Sequence, residues 1–313
     1  MPPYDLADRL VVGVASSALF DLTEADAVFR EEGEASYRAY QEEHMGHTLE
    51  PGVAYPFIRR LLSLNSLNPT EDPLVEVIVL SRNDPDTGLR VMRSIQTHDL
   101  PITRAIFTQG RSPHHYVPVL NMSLFLSANE SDVRDAVDSG LPAGYVLGSP
   151  SADDTEDQEL RIAFDFDGVL ADDSAERIYQ SDGLATFRTH ESTNAATPHA
   201  PGPLRDFLAG VNRVQQREEE RQRQDPDYRI RVRVSLVTAR NAPAHERAVR
   251  SLKDWGVTVN DAFFLGGIDK GEIIGVLRPH IFFDDQIGHL VGTARNAPSV
   301  HVPFGKVNEI SAS

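Results

Sequence analysis

Apolar residues in this chain fall into short runs set between longer stretches of helical spacing. In the first half, the run after Arg9, Val75 to Leu80, Ala105 to Thr108, Leu124 to Ser127 and Ala143 to Leu147 read as strands. Glu24 to His44, Pro51 to Asn65, Leu89 to His98, Pro113 to Leu120 and Ser131 to Ser139 read as helices between them. The second half repeats the alternation. Its strands are Ile162 to Phe166, Arg231 to Thr238, the runs at Phe263 and Ile281, and SVHVPFG; its helices include Leu204 to Gln224 and Ala244 to Trp255. Strands alternating with helices predict an α/β fold with a parallel sheet.

Ser149 to Gln158, SPSADDTEDQ, is polar, acidic and proline-bearing, and predicts a linker between residues 1–150 and 151–313. The stretch from Asp172 to Tyr228 is a long insertion between two strands. Within it, Thr189 to Pro203 reads as loop, and the charged end QQREEERQRQ as a solvated helix face.

The halves follow one plan. VVGVASSALFD lies over IAFDFDGVLAD, and Ile95 to Ser127 tracks Leu252 to Asp284 without a gap, with identities at Ala105, Phe107, Gly110, Val119, Leu120 and Phe125. This alignment puts Val14 and Ser16 opposite Asp165 and Asp167, Leu80 opposite Thr238, Pro113 opposite Lys270, and Ser127 and Ala128 opposite Asp284 and Asp285. The first half is therefore expected to be a catalytically silent copy, used for packing, substrate enclosure or regulation.

At 313 residues, with an apolar fraction of 40%, the chain has room for two such units. It contains no cysteine, which excludes disulfides, thiolate metal sites and a thiol nucleophile. A net charge of −17 argues against a nucleic acid polymer as partner. The opening MPPYDLADRL lacks the pattern of a secretory signal, and no apolar run is long enough to span a membrane, so the cytoplasm is expected. Self-association is left open.

The chemistry concentrates at strand ends. Ile162 to Phe166 delivers Asp165 and Asp167 into a glycine turn at Gly168; VRVSLVTARN ends its strand in Thr238; DAFFLGGIDKGE carries Lys270; HIFFDDQ ends in Asp284 and Asp285. Buried carboxylates are costly unless paired or metal-bound, and carboxyl ends of parallel strands line one crevice. Each group alone has a plain alternative: a turn aspartate, a solvated lysine, a helix cap. Together, in this order, they resemble the haloacid dehalogenase (HAD) superfamily of phosphatases.

That resemblance implies a Rossmann-type sheet with a cap insertion near residues 172–230, and a magnesium-dependent phosphoryl transfer. Asp165 would be the nucleophile and Asp167 the general acid and base. Asp165, Asp167 through its backbone carbonyl, and Asp284 would hold Mg²⁺, with Asp285 an alternative ligand. Thr238 and nearby backbone amides, such as that of Ala239, would bind phosphoryl oxygens. Lys270 would neutralise charge. Arg240 is a candidate substrate contact or a turn residue.

VASSALFDL, FTQGRSPHHYVPVLNMSLFLSANESDV, AFDFDGVLADDSAERI, LVTARN, FFLGGIDKG and RPHIFFDDQ together resemble the cytosolic type I 5'-nucleotidases. This implies a nucleoside 5'-monophosphate as substrate. Where vertebrate members read FDGDAV, this chain has Phe166 between the two aspartates. Phe187, Tyr179 and His190 in the insertion, and Phe20 in the first half, are candidates to face a nucleobase. His190, His199, His280, His289 and His301 show no metal-ligand spacing. A phosphatase for sugar phosphates, and a nucleotide-binding regulator with vestigial chemistry, are the competing readings.

Overall fold

The predicted strands form β1 (Leu10–Val14), β2 (Val75–Ser81), β3 (Arg104–Phe107), β4 (Leu124–Ser127), β5 (Ala143–Leu147), β6 (Leu160–Phe164), β7 (Val232–Thr238), β8 (Asp261–Phe264), β9 (Ile281–Asp284) and β10 (Ser299–His301). The structure, a computed structural model, describes residues 4–68, 72–148 and 153–308. All ten strands join one open sheet in the order β3-β2-β1-β4-β5-β10-β9-β6-β7-β8. Every pairing is parallel except β5 with β10. Residues 160–301 thus repeat the strand order of residues 10–147, and the two runs meet edge to edge. The antiparallel seam sends the carboxyl ends of β1–β5 to one edge of the sheet and those of β6–β10 to the other.

The helices are α1 (Ser16–Leu19), α2 (Thr23–Glu32), α3 (Glu34–Glu43), α4 (Tyr55–Ser63), α5 (Pro85–Thr97), α6 (Tyr116–Val119), α7 (Glu130–Asp138), α8 (Ser174–Thr193), α9 (Arg205–Gln224), α10 (His245–Asp254), α11 (Lys270–Leu277) and α12 (Ile287–Thr293). Their ends follow local chemistry. Asp84 caps α5 by accepting from Thr87 N, with Pro85 in the first turn, and Asn129 caps α7. The predicted helix Glu24 to His44 is broken at Gly33, φ +87°; α8 bends at the corresponding Gly183, φ +78°. α8 also runs to Thr193, so the predicted loop at Thr189 begins as helix: its threonine and serine hydroxyls bond back to carbonyls one turn earlier. The charged end of α9 is not wholly a solvated face. Glu218 is fully buried and accepts from Arg231 N (3.0 Å), Val232 N (2.9 Å) and Tyr228 Oη (2.6 Å).

One hydrophobic core runs beneath both halves. At its centre Phe57 of α4 and Phe207 of α9 meet with ring centroids 6.4 Å apart. Phe207 also packs on Phe164 (6.0 Å) and Phe283 (5.9 Å), and these two stack at 5.1 Å. All four rings are fully buried, so the strand that ends in the motif aspartate rests on the joint between the halves. The described part of the predicted linker is irregular, as expected, but anchored. Asp153 pairs with Arg59 (2.7 Å) and Arg60, and Arg60 donates to Asp154 O (2.8 Å) and Glu159 O (3.0 Å). Residues 149–152 of that linker and 1–3 of the opening stretch lie outside the described residues. Among those described, no helix is long and apolar enough to cross a membrane.

The ladders correct the alignment of the halves by one residue in two places. Ala15 N donates to Leu126 O (2.7 Å) as Asp165 N donates to Phe283 O (2.8 Å), so Ala15 rather than Val14 stands where Asp165 does. Ser81 rather than Leu80 ends β2 as Thr238 ends β7. The correspondence of Ser127 with Asp284 holds: each side chain accepts from the backbone N–H two residues on. A cleft of about 470 Å³ lies at this edge of the first half, lined by Ser16, Ser81, Arg82 and Asn129 among others. Phe20 does not face the motif aspartates. It is fully buried in its own half, stacked on His98 at 5.7 Å.

Candidate active site

The apolar run of β6 is buried on both faces up to Phe164. Asp165 follows in extended conformation, its carboxylate accepting from Phe166 N at 2.7 Å. The chain then makes a wide turn closed by Ala171 N to Phe166 O at 2.8 Å. In the first half the matching turn is closed by Phe20 N to Ser16 O at 2.9 Å and is one residue shorter. The extra residue falls in the stretch that holds Asp167 and Gly168. Gly168 has φ +69°, which suits a residue without Cβ. A Cβ there would also come within 2.5 Å of Asp285 Oδ2.

Lys270 opens α11, behind the Asp269 cap. It is 3% exposed, and its Nζ lies 2.8 Å from Asp165 Oδ2 and 2.7 Å from Asp284 Oδ2. Burial alone would lower the lysine pKa, but Asp165 and Asp284 outweigh it and hold the ammonium above its ordinary range. Asp284 ends β9, the neighbour of β6. It also accepts from Gln286 N (2.8 Å), and His289 Nδ1 lies 3.2 Å from both its oxygens. Burial opposes its ionisation, yet Lys270 and His289 hold its carboxyl below the usual range. For Asp165 burial wins over Lys270, and with Asp284 and Asp167 nearby its pKa is pushed up to about 6.

Asp285 has no such support. It is fully buried, and neither carboxylate oxygen has a hydrogen-bond partner among the described residues. Burial first, then the charges of Asp165 and Asp284, push its pKa up to about 10. An orphaned buried carboxylate beside two others calls for a cation. Asp165, Asp284 and His289 each place a ligand atom within 4.8 Å of one another. These residues fit a divalent metal, and their carboxylate oxygens suit a hard one such as Mg²⁺.

Asp167 faces a different partner. Arg240 grips it with two parallel bonds, Nε to Oδ2 at 2.7 Å and Nη2 to Oδ1 at 2.6 Å. Arg240 is buried; its Nη1 pairs with Glu191 and donates to Ala244 O at 3.2 Å. Glu191, on α8, is fully buried and also binds Arg247 Nη1 (2.7 Å), with His199 Nε2 3.0 Å away. Although burial opposes it, His199 and Arg240 hold the Glu191 carboxyl well below its ordinary range. The Arg240 guanidinium lies over Phe166 (4.9 Å) and Phe187 (5.5 Å). Phe166 in turn stacks on Trp255 at 6.0 Å, which gives the ring between the aspartates a packing role.

The fold therefore brings Asp165, Lys270 and Asp284 into contact, with Asp285 against the Gly168 turn. Asp167 sits in the same turn, directed to Arg240. Thr238 is buried and accepts from Arg240 N at 3.2 Å, while Ala239 beside it is exposed. Phe187 is buried under Arg240, and Tyr179 meets its edge at 6.1 Å. His190 is half-buried, 3.1 Å from Glu191. Spacing alone missed His289, Glu191 and Arg247. His289 had a signal: it lies early in the helix after β9, at the edge where Asp284 emerges. Glu191 and Arg247 had none, because their partners come from distant segments.

Residues 2–309 match the family model described as 5'-nucleotidase. The chain is also similar to cytosolic 5'-nucleotidase 1B of Homo sapiens, at 30% identity over 307 residues. That alignment covers 96% of this chain and 49% of the human protein, so the chain spans about half the length of this relative.

Proposed function

The chain belongs to the 5'-nucleotidase family, a family of phosphoric monoester hydrolases, and from that premise we propose that it is a Mg²⁺-dependent nucleotidase. It releases phosphate from nucleoside 5'-monophosphates at the HAD-like centre around Asp165. The observation that carries this reading is the bridge of Lys270 Nζ between Asp165 and Asp284, on adjacent strand ends, beside the unpartnered Asp285.

Asp165 attacks phosphorus and forms an aspartyl-phosphate, so one hard displacement becomes two easier ones. Asp167 gives a proton to the leaving 5'-oxygen, then takes one from the water that opens the intermediate. Lys270 keeps Asp165 anionic and offsets charge on the phosphoryl oxygens. Thr238 and the backbone N–H groups after it, including that of Ala239, receive those oxygens. Asp165, the Asp167 carbonyl and Asp284 would hold the metal, with Asp285 as an alternative ligand. When bound, the ion screens the carboxylates from the incoming phosphate. Residues 172–230 form the cap over the substrate, with Tyr179 and Phe187 as the aromatic wall. Residues 1–150 are a silent copy, with Ala15 where the nucleophile stands.

A panel of ribo- and deoxyribonucleoside monophosphates and sugar phosphates, assayed for phosphate release with Mg²⁺ or EDTA, tests the reading. Nucleotide turnover that stops with EDTA and in Asp165→Asn supports it. Faster turnover of sugar phosphates replaces the substrate assignment, and no turnover at all ends it.

A further inference from the structure

Arg240 invites assignment as a phosphate ligand, being a buried cation beside the motif carboxylates. Its contacts argue otherwise. A guanidinium has five N–H donors in a fixed plane. Here Nε and one Nη2 hydrogen go to Asp167, and Nη1 serves Glu191 and Ala244 O. The remaining Nη2 hydrogen lies against the buried His199 ring, whose Nε2, 3.1 Å away, is itself bonded to Glu191. Four of the five donors are therefore taken before any phosphate arrives. The charges are matched too: Arg240 and Arg247 stand against Asp167 and Glu191. Phe166 and Phe187 fix the plane of the guanidinium.

We propose that Arg240 is a positioning residue for Asp167, and that Glu191, from the insertion between β6 and β7, holds Arg240 in place for that task. The inference rests on the phosphatase reading above. The two-bond grip fixes the place and rotamer of the Asp167 carboxyl. As substrate enters, Asp167 keeps one guanidinium contact, and its other oxygen, once freed, takes up a proton from solvent and turns to the leaving group. Because Glu191 and Phe187 both lie on α8, the insertion sets the geometry of proton transfer as well as covering the site.

Leaving-group dependence separates positioning from phosphate binding. Only the first step depends on the leaving group, so it is followed as single-turnover release of nucleoside or nitrophenolate, apart from the shared hydrolysis of the aspartyl-phosphate: AMP expels a poor alkoxide and needs the proton; 4-nitrophenyl phosphate expels a good phenolate and does not. We expect Arg240→Lys to lower this first-step rate for AMP by about 100-fold, within the range of general acid catalysis. The loss with 4-nitrophenyl phosphate should stay under about 10-fold. In an Asp167→Asn background, Arg240→Lys should leave the ratio of the two rates unchanged. Glu191→Gln keeps the shape of the side chain, removes the charge that holds Nη1, and should give the same selective loss at smaller size if Arg240→Lys does not fold. Equal losses on both esters, or a raised KM at constant kcat, overturn the positioning role alone. Wild-type protein that cleaves neither ester overturns the phosphatase reading with it.

Discussion

Ala15 and Asp165 hold the same place in their two half-sheets, each backbone N–H donating to the neighbouring strand, β4 or β9, at 2.7 and 2.8 Å. Only the second carries a carboxylate. Asp165→Asn should therefore reduce phosphate release by at least about 10³-fold. Ala15→Asp should restore none of it in that background, because the first half has Ser127 where Asp284 stands. Substantial turnover in Asp165→Asn would remove Asp165 from the mechanism.

Mg²⁺ should stabilise the protein through the carboxylate cluster. With free ion at about 100 times Kd, linkage gives about 2.7 kcal/mol, visible as a rise in Tm over an EDTA-treated sample. Asp285→Asn should shrink that rise, since it removes a buried acidic group with no hydrogen-bond partner among the described residues. A Tm indifferent to Mg²⁺ in the wild type would count against a metal centre here.

Gly168→Ala combines two penalties: a positive φ of 69° and a Cβ 2.5 Å from Asp285 Oδ2. The expected cost is about 1–3 kcal/mol in urea unfolding. Activity should fall further than stability explains, because the displaced carboxylate belongs to the cluster. A variant as stable and active as wild type would show that the turn is not packed as described.

His280 supplies a pH signature away from the site. It is buried, its ring Nδ1 accepts from Arg161 N at 3.0 Å, and burial, then Arg60 and Arg161, push its pKa down to about 3. Above the unfolded value, about 6.5, the ring is neutral in both states and nothing is lost. As pH falls from there toward about 3, the unfolded chain takes up a proton that the folded one refuses. Stability should drop by up to about 1.4 kcal/mol per pH unit in that window. His280→Asn keeps an acceptor and should flatten this part of the stability profile; an unchanged slope would rule the residue out.

Phe207→Ala should cost about 3–5 kcal/mol. Since its ring touches Phe57 of the first half and Phe164 and Phe283 of the second, unfolding should remain a single transition at lower denaturant. Two separate transitions would mean that the halves fold independently.

Much of this architecture was legible because buried strands advertise themselves. The runs at Leu124 and Ala143 matched their strands to the residue, and the motif carboxylates stood at strand ends as their flanking apolar residues required. Breaks inside helices were harder to read, since Gly33 and Gly183 interrupt otherwise continuous helical spacing. The alignment of the halves slipped by one because the turn after β6 holds an extra residue that leaves hydrophobic spacing intact. The Glu191 network was invisible for a deeper reason. A buried ion cluster depends on which charges the fold brings together, and hydropathy sees each of them only as polar.

The antiparallel pairing of β5 with β10 has its own consequence. Anything that docks in the first-half cleft enters at the end of the sheet opposite the one where Asp165 emerges. The packed route between the two runs through the phenylalanines that both halves lean on. Crosstalk between the two edges would therefore be read first as a change in how tightly Phe57 and Phe207 sit together.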